Sequence, residues 1–112
     1  IYAAVGGVGT ILTQWAATAE HKAAQELPIR VRLWRGYLEE RQGRYATEVA
    51  QRASVALLLQ RFPVLLETPD ARQITGLDSV LRGRSTAGAF VWEAALQPAF
   101  PEDTFWFLYR QI

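Results

Sequence analysis

The stretch YLEERQGRYATEVAQRASVALLLQRF, residues 37–62, decides the fold. Glu40 with Arg44, and Glu48 with Arg52, stand four residues apart with the acid first. That order supports a helix by about 0.3–0.5 kcal/mol per pair. Tyr45, Val49, Ala53, Ala56 and Leu57 share one helical face. Residues 55–59 are apolar on nearly every side, which implies contact from more than one direction. Gly43 is either a joint between two antiparallel helices or a helical glycine costing about 1 kcal/mol. Pro63 ends the run.

Working outward, Leu27-Pro28 is expected to close a first helix running from near residue 10 to residue 26, since proline disfavours helical geometry in the residue before it. Ahead of it, residues 1–9 read as a flexible lead-in, strand or turn, or as part of an apolar helix over 1–19. Residues 29–35 alternate apolar and basic like a half-buried strand, yet Val31, Trp34 and Leu38 also form a helical stripe. Downstream, Thr68-Pro69-Asp70 combines an N-cap, a first-turn proline and a first-turn acid, with Gly76 as the expected stop. Asp78 suits the cap of a short turn up to Gly83, and Ser85 or Thr86 the cap of a helix over 87–97 ended by Pro98. Pro101-Glu102-Asp103 opens a last helix with acids at its positive end and Arg110 near its negative end. The expectation is therefore a single all-α domain over 1–112, a small irregular bundle of four to six helices, with helices at 10–26, a pair over 30–62, and others at 69–75, 87–97 and 101–112. The alternative is α+β, with strands near 29–35 and 104–112, because Phe105, Trp106, Phe107 and Tyr109 favour sheets.

Composition narrows the function. The 112 residues carry 12 basic and 11 acidic groups, one His and no Cys. These numbers exclude disulfides, thiol chemistry, Cys-ligated metal and any site needing two imidazoles. A folded chain of 12.6 kDa exposes roughly 6,200 Å² against roughly 18,000 Å² unfolded, enough burial for a core without staples. Charge is uneven: residues 30–61 hold seven Arg against Glu39, Glu40 and Glu48, while residues 1–19 hold no charge. Nineteen helical residues span about 28 Å, close to a bilayer's hydrocarbon. The Gly, Ala and Thr content and Gln14 keep this stretch less hydrophobic than an ordinary spanning segment.

Motifs for catalysis fall away on inspection. Gly6-Gly7-Val8-Gly9-Thr10 lacks the Lys of a phosphate-binding loop, and Leu12 replaces the third Gly of a dinucleotide turn. His21 sits in a polar stretch with one carboxylate, Glu26, five residues on, which is a poor ligand set. Ser85 misses the nucleophile turn by one position and reads as a cap, although Arg84 beside it suits an anion. Glu39 and Glu40 point to different helix faces, and Glu102-Asp103 are explained by the helix dipole. No catalytic residue, cofactor or metal is expected.

Residues 36–45, Gly-Tyr-Leu-Glu-Glu-Arg-Gln-Gly-Arg-Tyr, resemble the centre of a tetratricopeptide repeat in their Gly, the Gln-Gly turn and the Tyr that follows. Glu48 stands where that repeat has a small residue, and no second copy follows at a period of about 34 residues. The resemblance implies an antiparallel helix pair hinged at Gly43 and nothing about a repeat array.

Seven of the aromatics, Phe90, Trp92, Phe100, Phe105, Trp106, Phe107 and Tyr109, fall near the end of the chain. Three consecutive rings cannot all face one core from a helix. Together with the uncharged start, this predicts a non-enzymatic interaction or accessory subunit of a larger assembly, membrane-associated through residues 1–19. Trp34, Arg30, Arg32, Arg35, Phe105, Trp106 and Phe107 are the expected partner-binding residues. Other protein subunits are the expected partners, with membrane contact and self-association beside them and nucleic acid disfavoured at a pI of 8.4. The alternative is a module for an anionic ligand, nucleic acid or anionic lipid, using the Arg and aromatic residues of 30–45.

Overall fold

Helix α1 (Tyr2–Glu40) turns at a loop over 41–44 into α2 (Tyr45–Arg61), and after a 3₁₀ turn (Pro63–Glu67) α3 (Pro69–Arg84) completes an up-down-up trio. The computed structural model describes the backbone of residues 2–112 and the side chains of residues 18–112. The chain is predominantly helical, an irregular small bundle. Two short strands, β1 (Thr86–Ala87) and β2 (Arg110–Gln111), pair antiparallel, with Thr86 opposite Gln111. Between them lie 3₁₀ turns at Ala94–Ala99 and Trp106–Tyr109.

The hinge at Gly43 is real. Arg41 and Gly43 take left-handed backbone angles, φ 57° and 104°, which let the chain reverse in four residues. Glu40 and Arg44 consequently straddle the joint rather than one helix, and they form no ion pair. Glu48 and Arg52 share α2 but do not pair either, because Arg52 reaches Asp78 of α3 with two hydrogen bonds, 2.9 and 3.0 Å. Thr68 caps α3 as its sequence requires, its Oγ1 accepting from the Ala71 N–H, with Pro69 in the first turn.

Several expectations need correction. The first helix neither starts at residue 10 nor ends at Pro28: α1 includes residues 2–9 and passes through the proline without a break. Proline inside a helix costs about 3 kcal/mol or more. Leu27 and Val31 on either side are each 1% exposed, and burying such side chains stabilises by about 1.5–3 kcal/mol apiece. Packing outweighs the lost hydrogen bond, so 29–35 is helix and not strand. Likewise α3 continues through Gly76 and Gly83 to Arg84, because Ile74 and Leu81 are buried on its inner face. Leu57, expected on the inner face of α2, is 46% exposed, whereas Val55 is fully enclosed.

The final quarter departs most. Helices over 87–97 and 101–112 do not form, and neither Ser85 nor Thr86 opens a helix; Ser85 instead closes the end of α3. The Gly88 N–H donates to Tyr109 O and the Val91 N–H to Leu108 O, extending the strand pairing. This layout seats the rings better than a helix can. Phe105 and Phe107 turn inward, and Trp106 lies half-buried beneath the guanidinium of Arg82, 3.6 Å from the ring centre. The rings of Phe90, Trp92, Phe100, Phe105 and Phe107 then meet in succession, largely edge to face.

The core runs along one face of α1 (Ala23, Leu27, Val31, Trp34, Leu38), against α2, α3 and the C-terminal segment. The accessible surface is 7400 Å², above the roughly 6,200 Å² of a globular chain of this mass. The cause is α1. Its 39 residues extend about 58 Å, while α2 and α3, with 17 and 16 residues, extend about 25 Å.

Two contrasts test this account. Gly43→Ala forces a side chain into a left-handed backbone and against Glu48, 3.1 Å away; a loss of about 1 kcal/mol or more is expected. Gly76→Ala meets nothing within 4 Å and should gain about 0.5–1 kcal/mol. In urea unfolding, Arg52→Ala should cost about 2–3 kcal/mol by removing a buried guanidinium and leaving the half-buried Asp78 without its partner. Arg72→Ala, which breaks the exposed pair with Glu67, should change stability by less than about 1 kcal/mol.

Candidate functional site

Burial sorts the residues that the sequence singled out. Trp34 is 0% exposed, Phe107 0% and Phe105 3%, so these three belong to the interior and offer no surface to a partner. Trp34 stacks on Tyr37 at 5.6 Å between ring centres and meets Tyr45 at 6.4 Å. Its Nε1–H is buried without a hydrogen-bond partner. The arginines do not converge. Arg30 pairs with Glu26 at 2.6 Å and donates to Gln51 at 3.0 Å. Arg35 donates to Gln73 at 2.7 Å. Arg32 is exposed on the far side of α1 from Arg30, since two residues rotate a helix by about 200°.

Three helix ends do build a site. A cleft of about 550 Å³ opens where α1 finishes, α2 begins and α3 finishes. Tyr37 and Leu38 come from α1, Arg41 and Gly43 from the loop, Tyr45 from α2, Leu81, Gly83 and Arg84 from α3, and Ile112 from the end of the chain. The left-handed turn at Arg41 and Gly43 shapes its rim. Leu38 and Leu81, both buried, give it an apolar floor.

The polar groups of the cleft divide into committed and free. The Tyr45 hydroxyl donates to Phe107 O, fastening the C-terminal segment to α2. Burial drives its pKa well above the ordinary 10.0, with Tyr37 adding to the rise. Burial also raises the Tyr37 pKa, helped by the Glu48 carboxylate. Arg84 donates one N–H to Leu38 O, closing an open carbonyl at the end of α1. The Arg41 guanidinium and the Tyr37 hydroxyl form no hydrogen bond or ion pair. The cleft thus offers donors above an apolar floor.

Of these residues, Arg84 is marked in the sequence as suiting an anion, whereas Leu81 and Ile112 carry no such mark. Leu81 and Arg84 meet the end of α1 only through the packing of α3, and Ile112 only through the pairing of β2 with β1. Ser85 is engaged, its hydroxyl donating to Leu81 O and accepting from Arg110 Nε. Among the described residues, no group of three His, Cys, Asp or Glu side chains is placed to hold a metal ion.

Set against known proteins, the chain matches no family model, no curated protein and no solved structure.

Tyr45 supplies a pH test. Its phenol is stabilised in the neutral form, so that contribution is present below the ordinary pKa of 10.0 and is lost as pH rises beyond it. Tyr45→Phe should cost about 1 kcal/mol at neutral pH through the lost hydrogen bond. Thermal unfolding followed upward from about pH 9 should then fall less steeply in the variant than in the parent chain.

Proposed function

We propose that the chain is a non-enzymatic interaction domain, an accessory subunit of a larger protein assembly, engaged through the N-terminal half of α1. The observation that carries this reading is the mismatch between α1 and the helices that cover it. Antiparallel packing places Arg30 beside Gln51 and Glu26 near Leu58 and Arg61, so α2 is used up where α1 still has more than half its length to run. Among the described residues, the buried positions of α1 begin at Ala23. Upstream lies the uncharged run of residues 1–19. An uncharged helical run that no neighbouring helix covers gains most by laying itself on another apolar surface.

The C-terminal rings lend this reading no support, because the chain encloses Phe105 and Phe107 itself. For the N-terminal run, a protein surface is favoured over bilayer hydrocarbon: Gly6, Gly7, Gly9, Thr10, Thr13 and Gln14 suit close helix packing better than lipid. Among the described residues no helix is long and apolar enough to cross a membrane. The side chains of residues 1–17, on which the expectation of membrane contact falls, lie outside the described residues.

Without its partner, the full chain should self-associate as concentration rises, and it should bind a dye that fluoresces on apolar surfaces. Leu12→Glu should reduce both effects while leaving the thermal transition in place. A parent chain that stays monomeric and dye-silent at high concentration removes the basis of the reading.

A further inference from the structure

The cleft at the carboxyl end of α1 lies at the opposite end of that helix from the proposed docking half, and a different set of observations bears on it. Its volume, about 550 Å³, is in the range of small-molecule sites, which combine an apolar lining with a few convergent polar groups. Leu38 and Leu81 lie enclosed beneath the cleft, and the apolar surface open to a ligand is that of Ile112, 62% exposed, and the half-buried ring of Tyr37. With them stand the unpaired guanidinium of Arg41, the Arg84 N–H groups left over from Leu38 O, and the free Tyr37 hydroxyl. We propose that this cleft binds a small amphipathic oxyanion, its carboxylate or phosphate head on Arg41 and Arg84 and its apolar body against Ile112 and the ring of Tyr37.

The opposing charges are few. Glu48 brings a carboxylate beside Gly43, and the carbonyl ends of α1 and α3 contribute partial negative charge. Two of those carbonyls are already occupied: Leu38 O accepts from Arg84, and Tyr37 O accepts from the Arg41 backbone N–H at 2.8 Å. What remains facing a ligand is two guanidinium forks, the donor geometry that suits planar oxyanions. The arginines at 30 and 35 are committed elsewhere. The anion-binding role expected of segment 30–45 is thereby confined to its last turn and completed by Arg84, a residue 43 positions beyond Arg41.

Titration calorimetry on the full chain at low salt tests this, using octanoate, octyl phosphate, inorganic phosphate and octylammonium, with the amphiphiles below their micelle-forming concentrations. Octanoate or octyl phosphate should bind, whichever is tighter identifying the head group. Inorganic phosphate should bind at least tenfold more weakly and octylammonium not measurably. Arg41→Gln should weaken the amphipathic anion at least fivefold without lowering the melting temperature, since its side chain holds nothing in the fold. Arg32→Gln, an exposed arginine away from the cleft, should leave binding unchanged. Absence of binding by both anionic amphiphiles at millimolar concentration overturns the proposal. So does equal binding of octylammonium or of inorganic phosphate, or an Arg41→Gln chain that binds as well as the parent.

Discussion

The guanidinium of Arg52 holds together three parts of the chain that are far apart in sequence. From α2 it forms a two-pronged pair with Asp78 of α3 and lies 4.4 Å from the ring centre of Phe107 in the C-terminal segment. Withdrawing such an ion from water is expensive, and only full compensation makes it tolerable. Here the carboxylate takes two N–H groups and the ring face takes the cation's flank. The C-terminal segment depends on that arrangement. It has little regular structure of its own, and Phe107 can enter the core only because Arg52 is already neutralised by Asp78. The same logic recurs at the edge, where Arg82 covers Trp106 and Arg110 ties β2 back to Ser85.

This dependence explains which parts of the fold were legible in the sequence. Local chemistry could be read where it acts locally: the Thr68-Pro69 cap, the reversal at Gly43, and the apolar periodicity that pairs α1 with α2. It failed where distant packing overrides a local preference. Pro28 and Gly76 are helix breakers by intrinsic tendency, and both sit inside helices because Leu27, Val31, Ile74 and Leu81 are buried on those helices. The segment 86–112 failed for a different reason. Its caps and acids describe a helix, but a helix would leave one of three consecutive rings in water. The bend at Phe105 and the 3₁₀ turn that follows it let two turn inward and place the third beneath an arginine. Long-range cations decided the outcome, and Arg52, Arg82 and Arg110 carry no local mark of that role.

The candidate site follows the same division. Tyr37, Arg41, Gly43 and Tyr45 lie in the basic and aromatic stretch 30–45, and the turn between α1 and α2 brings them to one rim. Leu81, Gly83 and Arg84 join them only because α3 runs parallel to α1 and ends at the same level. Trp34, the most conspicuous residue of the stretch, instead became its structural centre, stacked against Tyr37 and tilted toward Tyr45 beneath that rim.

α1 is thus asked to do different things along its length. From Ala23 to Leu38 it is the wall of the core, and burial there is dense enough to carry a proline through the middle. From Leu38 onward its open carbonyls need donors, and Arg84 supplies one to Leu38 O, which draws the end of α3 toward the end of α1 and leaves a cleft between them. Ahead of Ala23 the helix continues with neither α2 nor α3 long enough to follow. Because one rigid rod links these regions, a neighbour bound along the first half would fix the orientation of the whole body, and with it the direction in which the cleft opens. A partner seated there could sense the cleft only through the shared helix or by reaching around it. Coupling between two such sites requires an element with two arrangements that both ligands bias, and a helix buried on one face from Ala23 to Leu38 offers little room for a second one. Were both proposed sites occupied, each would therefore fill independently of the other.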